Sequence, residues 1–445
     1  MSSTSYAGWS SCEITPPLGL PMGGRGPRFS PGQEVHDPLL AQAVVIKDAA
    51  GQLQVWISVD LLELSCPLSD QIAYDVAALL GISPMSVTIN ASHTHSGPMM
   101  GIHRYSTLRS APPELLEYFK WLHKRIVKMA AEAARQLTPA TVTWRQGQTH
   151  IGVNRRRYVD GKILLAPNDE APYDRSLWVL DIQSTQQPEK RAILFAHGCH
   201  PVLVYGYAWN AISAEWPGQA RLALKEKLGQ QVHCQFFQGL AGNIRPRVFA
   251  DFNEGKFRKA IPDDPRTTGQ EIAGDVTTLL TQPGEMLSLS LASTRNWFPA
   301  AREEKLPPAS RWEEMAKSDD ELQRECGAYW LSRYSPEGIP PLPTSPWLVG
   351  MIQLTPKHRI AWFGGEPVAE WREVLQQALP DMHLAVWGYT QDNVGYLPTD
   401  ELIPQGGYEV EFGWMSNHTP ALFKPGLRAA GAAIFKKLDR ILSVS

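Results

Sequence analysis

Cysteine is scarce in this 445-residue sequence. Its five cysteines, Cys12, Cys66, Cys199, Cys234 and Cys326, are odd in number, widely scattered and form no CxxC. That pattern excludes a disulfide framework and a thiolate metal cluster. An excess of charge of one sign is also missing. A formal net charge of −3 gives no reason to bind nucleic acid or an anionic membrane surface. No uninterrupted apolar run approaches the length that spans a bilayer. The opening Met1-Ser2-Ser3-Thr4-Ser5-Tyr6 lacks the basic and apolar regions of a signal peptide. A soluble cytoplasmic protein is therefore expected. Neither a repeat nor a long linker divides the chain, so one unit over 1–445 is expected, with a polar, Pro-rich helical insertion at about 300–347.

What the sequence does contain is an α/β pattern. Residues 41–47 and 53–64 read as strands, and a helix over 67–80 stops at Gly81, a residue suited to a helix C-terminus. The next strand runs from Pro84 into His93. A long amphipathic helix is expected over 112–137 and paired central strands over 177–182 and 191–196. Helices follow at 216–228, 267–281, 367–378 and 420–442, and strands at 232–237, 285–294, 351–354, 359–363 and 383–388. This predicts an α/β fold: a mixed sheet with helices packed around it. The 15 tryptophans and 36 prolines suggest loops and aromatic-lined surfaces, which suit a small molecule or a carbohydrate.

Polar residues gather where strands end, the usual position of a site in such sheets. His93 and His95 lie two apart, so on a strand both would face one point. They suit a metal site, an acid/base pair, or two hydrogen-bonded histidines in a polar loop. His197 and His200 follow another strand, Glu366 a third, and Tyr389 and Tyr396 lie beyond a fourth. Two imidazoles and a carboxylate form a common shell for a hydrolytic zinc that keeps a position for water. The run Arg155-Arg156-Arg157 reads on its own as a solvated surface patch.

Several of these blocks resemble one family. Asn90-Ala91-Ser92-His93-Thr94-His95-Ser96-Gly97-Pro98 is similar to the signature of the neutral/alkaline, non-lysosomal ceramidases. So are Glu13-Ile14-Thr15-Pro16-Pro17-Leu18-Gly19, Asn154-Arg155, His200-Pro201, Gly395-Tyr396 and Gly407-Tyr408-Glu409, in the same order. The resemblance implies the family's catalytic domain, without the C-terminal immunoglobulin-like domain of the lipid-cleaving members. It implies one zinc per chain held by His93, His200, Glu366 and Tyr396, with Glu370 and Tyr389 as rivals for the last two positions. His95, Arg155 and Tyr408 would surround the substrate, and His197 would be structural.

The chain departs from the family in one loop. Where the lipid-cleaving members carry a Ser-Pro-Asn whose serine has a catalytic role, this sequence reads Gly242-Asn243-Ile244-Arg245-Pro246-Arg247. Arg245 is a permanently charged fork suited to a carboxylate, phosphate or sulfate. The expectation is a zinc-dependent hydrolase of an amide, or an ester, on a polar or anionic small molecule, with Arg245 among its catalytic residues. A ceramidase acting on N-acyl sphingoid lipids and a non-catalytic binding protein remain the alternatives. Oligomeric state is left open.

Overall fold

Strongly β-prone runs such as Val55-Trp56-Ile57-Ser58-Val59 become the strands of one large mixed sheet. The computed structural model describes residues 4–24, 28–101, 111–303, 308–319, 321–332, 344–412 and 422–444. Along the main sheet the order is His233–Gln238, Arg191–His197, Ser176–Ser184, Thr138–Gln148, Ser5–Glu13, Leu40–Lys47, Leu53–Val59 and Val87–Ala91. The short strand Glu285–Met286 pairs with Thr138–Gln148. The pair at each end of this order is parallel, and the strands between are antiparallel.

Parallel neighbours require a crossover connection. Helix Cys66–Leu80 makes one, burying Ile72, Ala73, Val76 and Ala77 and ending at Gly81 with a left-handed φ of 68°. Helix Glu215–Leu228 makes the other. The C-terminal ends of the two outer strands come together at Asn90 and Gln238.

The sheet curls until its two edges almost meet, and the Asn90 side chain closes the gap. Its Oδ1 accepts from the Gln238 backbone N–H at 2.7 Å, and its Nδ2 donates to the carbonyls of Gln238 at 3.2 Å and Gly388 at 2.8 Å. Residues 388–391 wedge between the edges. Gly388 N–H donates to the Gln238 carbonyl, and Gln391 N–H to that of Ile89.

A second sheet runs Ala292–Ala301, Thr344–Thr355, His358–Phe363, His383–Trp387. Its last pair is parallel, with helix Trp371–Ala378 as the crossover. An aromatic core fills the space between the sheets. Phe237 stacks on Trp387 at 4.3 Å, and Trp56 meets the same indole edge-on at 5.8 Å. The tryptophans read from sequence as aromatic surfaces are thus mostly core: Trp56, Trp144, Trp178, Trp216, Trp371 and Trp387 are all buried.

The expected α/β class is the one that folds, and the differences are local. Residues 285–294 split into Glu285–Met286 and the start of Ala292–Ala301. The helix expected from 367 starts at Trp371, because Glu366–Pro367 pairs with Tyr396–Leu397. The final helix is Leu427–Ser443, and residues 413–421 of its expected approach lie outside the described residues. The insertion contains helices Ala309–Met315 and Glu321–Leu331, while 304–307, 320 and 333–343 also lie outside them.

Replacing Asn90 by alanine strips the Oδ1 acceptor from the buried Gln238 N–H, while the Gly388 carbonyl keeps the Thr390 hydroxyl. A buried group left unpaired costs about 1–3 kcal/mol, so Asn90→Ala should lose roughly that much in urea unfolding. A loss under about 1 kcal/mol would mean that the edges hold without it.

Candidate functional site

Strand Val87–Ala91 stops short of the two histidines. Ser92 and His93 N–H groups donate to Val59 and Leu61 carbonyls, and His93 then takes a left-handed φ of 65°. That conformation is rare for a residue with a Cβ and is held only where the surroundings enforce it. The rings therefore do not converge by strand alternation, as their spacing suggests. A backbone reversal brings His95 Nε2 to 3.3 Å from His93 Nε2, with the rings edge-on at 4.9 Å.

The other elements deliver their groups to the same point. His200 follows Arg191–His197, and its ring lies edge-on to His93 at 5.0 Å. Glu366 and Tyr396 are direct partners in a short parallel ladder. Glu366 Oε2 stands 3.2 Å from His93 Nε2 and 3.5 Å from His200 Nε2. The Tyr396 hydroxyl is 3.5 Å from His200 Nε2. Gly242 allows this approach, since a Cβ there would lie 2.7 Å from the Glu366 carbonyl oxygen.

Proton positions follow from the hydrogen bonds. His93 Nδ1 lies 2.8 Å from the Leu62 carbonyl, and His200 Nδ1 lies 2.6 Å from that of Ala241. A carbonyl only accepts, so each Nδ1 carries the proton and each Nε2 presents a lone pair. Burial, reinforced by the Arg155 charge, pushes the His200 imidazole down to about 3, which keeps it neutral. Burial alone would raise the Glu366 carboxyl. The imidazoles of His93 and His200 outweigh it and hold that group well below the usual range. Glu366 Oε2 is buried with no hydrogen-bond partner among the described residues. Two imidazole nitrogens and a carboxylate oxygen facing one another are a donor set that would hold a cation, and the set fits zinc. His93, His95 and His200 also offer three nitrogens within 4.8 Å.

The rivals take other places. Glu370 faces away, its carboxylate accepting from Asn243 Nδ2 at 2.9 and 3.1 Å. Tyr389 packs its ring on His93 at 4.3 Å, and its buried hydroxyl has no hydrogen-bond partner among the described residues. His197 Nδ1 donates to the Ser176 carbonyl at 3.0 Å.

The arginine run is not the surface patch that its composition suggests. Arg155 and Arg156 are buried and share one carboxylate: Arg155 Nε donates to Glu409 Oε1 at 2.7 Å, and Arg156 Nη1 to Oε2 at 2.6 Å. Burial would raise Glu409, but the two guanidinium groups hold it below its ordinary value. Arg155 lies over the rings of Tyr408 at 5.1 Å and Tyr396 at 5.5 Å. Arg245, on Ile244–Pro246, pairs with Val153 and so projects on the same face as Arg155. It stacks over Phe257 at 5.3 Å and makes no ion pair among the described residues. Burial and the neighbouring Arg155 charge both push it down. Sequence reasoning quoted Glu409 only within a motif and gave no role to Arg156 or to Tyr205, whose ring lies 5.5 Å from that of His95.

No family model matches the sequence, and no curated protein matches it. Solved structures do. The neutral ceramidase from Pseudomonas aeruginosa superposes with a TM-score of 0.74 at 16% identity, over 100% of this chain and 75% of that one. A ceramidase complexed with C2 gives 0.71 at 16%, over 99% and 75%. At that identity the likeness is one of fold, and it extends along the whole chain.

Glu409 yields a test of the electrostatics. Removing its charge leaves two buried arginines uncompensated, so Glu409→Gln should cost about 3–5 kcal/mol at pH 7. Because its folded pKa lies below the ordinary 4.5, its contribution is complete above that value and is lost as pH falls through the lower folded value. Urea unfolding at about pH 7 and pH 3.5 should show the penalty shrinking in acid. A penalty of equal size at both would rule out the charge as its source.

Proposed function

We propose, taking the neutral ceramidase fold as the premise, that this chain is a zinc-dependent hydrolase forming one catalytic unit. It would cleave an amide bond, or less readily an ester, in a polar or anionic small molecule. The observation that carries the reading is the convergence of His93 Nε2, His200 Nε2 and the partnerless Glu366 Oε2. These three residues and the Tyr396 hydroxyl would hold one zinc per chain.

When bound, zinc supplies Lewis acidity, making water more acidic and polarising a carbonyl. The chain's own groups do the rest. His95, beside His93 and bordered by Tyr205, is the proton carrier: it takes a proton as the amide is attacked and returns it to the leaving nitrogen. Arg155, fixed by Glu409, and Tyr408 are positioned to stabilise the negative oxygen that develops. Arg245 adds a cation on the same face, and it is the feature that favours an anionic group on the substrate. The structural neighbours are named as ceramidases, which favours the second reading, a lipid amide.

His95→Gln should keep the zinc but lose about 10²–10⁴-fold in kcat, whereas His93→Gln should lose the metal as well. Zinc titration of both variants checks this. Equal loss of zinc would make His95 a ligand in the three-histidine set. Full activity of chelated, metal-free protein would sink the hydrolase mechanism. Substrate class is tested separately. Arg245→Ala should lower kcat/KM for an anionic N-acyl amide about 10- to 100-fold, the worth of one charge-assisted hydrogen bond. If it instead raises turnover of a short-chain ceramide, the lipid reading wins.

A further inference from the structure

The second sheet holds another set of metal-ligand side chains, at the opposite ends of its strands from Glu366. His358 and His383 open two parallel strands and are register partners. Side chains at matched parallel positions emerge on one face, and here the two imidazoles stack at 4.7 Å with 18° between their planes. Glu285 comes from the main sheet, on the short strand beside Thr138–Gln148, and its Oε2 lies 3.2 Å from His358 Nε2. One ligand atom from each of the three residues lies within 4.8 Å of the others.

Two observations raise this above a chance surface grouping. His358 is 1% exposed, and its Nε2 has no hydrogen-bond partner among the described residues, with the Glu285 carboxylate beside it as an ion-pair contact. The ring is also fixed in place: Thr355 Oγ1 lies 2.9 Å from its Nδ1, and Trp144 packs edge-on at 5.1 Å. Thr355 Oγ1 in turn accepts from the Lys357 and His358 N–H groups, which holds the hydroxyl in place against the ring. Glu285 and His383 are exposed, so an ion there is reachable from solvent and would keep water ligands.

The geometry points to a second divalent-metal site formed by Glu285, His358 and His383, a clasp between the two sheets. Two imidazole nitrogens and one carboxylate oxygen select a borderline transition ion such as zinc rather than magnesium or calcium. Strand His358–Phe363 separates the two sites by about six residues, or on the order of 20 Å, so this ion would take no part in hydrolysis. An ion bound only when the sheets are packed stabilises that packing by mass action.

The test is zinc binding to chelator-stripped protein, by equilibrium dialysis with metal analysis and by thermal unfolding. Wild type should take up about two zinc ions per chain and His383→Ala about one. His93→Ala should keep the clasp ion and still show a zinc-dependent rise in Tm, which His93→Ala/His383→Ala should lose. Glu285→Gln, an exposed change that leaves the core intact, should weaken the clasp ion at least tenfold, and it carries the test if His383→Ala does not fold. Identical zinc uptake and Tm response in wild type, His383→Ala and Glu285→Gln would overturn the clasp. If uptake depends on His383 but not on His93, the clasp stands and the zinc hydrolase reading falls.

Discussion

One carboxamide holds the molecule's two halves in relation. Asn90 stands where the main sheet has curled but not closed, and its side chain replaces the hydrogen bonds that a missing strand pairing would have made. Edge strands left bare are open to pairing with other chains. Here the edges are answered by each other, through Asn90, and by residues 388–391, which follow the last strand of the second sheet. The consequence for the site is direct. Closing the gap through Asn90 and Gln238 brings the exit of Val87–Ala91 against the exits of Arg191–His197 and His233–Gln238, and the Gln238 amide donates to the Ser92 and Cys199 carbonyls there. His93, His200 and the Gly242 loop become neighbours through that closure.

The charges are layered behind this point. In front stand His93, His200, Glu366 and the Tyr396 hydroxyl. Behind them Glu409 is divided between Arg155 and Arg156, so it fixes both guanidinium groups without fully neutralising either. Arg245 stands on the same sheet face without a carboxylate of its own among the described residues. In a buried environment such uncompensated charge acts strongly. The Arg155 charge also helps keep His200 neutral.

Much of the fold was legible because its signals are local. Gly81 ends the helix that the sequence stops there, and the strand–helix–strand order announced that polar exits would matter. The misread features have distant causes. Arginines are normally solvated, and only Glu409, 253 positions from Arg156, explains why two of three are buried. Tryptophan count says nothing about which side of a strand faces a second sheet, so the inter-sheet core looked like surface. Glu366 and Glu370 could not be separated by sequence, since what distinguishes them is the Asn243 amide that occupies Glu370. The Glu285, His358 and His383 cluster joins residues separated by long stretches of chain and has no sequence signature.

The histidine pair shows how a backbone angle can give two side chains different surroundings that their spacing alone leaves equivalent. On a regular strand His93 and His95 would be equivalent, each facing one way at the same depth. The left-handed turn at His93 removes that equivalence. It drives the His93 Nδ1 proton onto the Leu62 carbonyl, which leaves Nε2 a fixed lone pair beside Glu366. His95 keeps contact with that lone pair at 3.3 Å but turns its ring toward Tyr205. A strained conformation persists only where its surroundings over-determine it. Here they are the Leu61 carbonyl, which binds the His93 N–H, and that of Pro201, which binds the His95 N–H. The same backbone contacts that hold the strain therefore also hold the two rings in different surroundings.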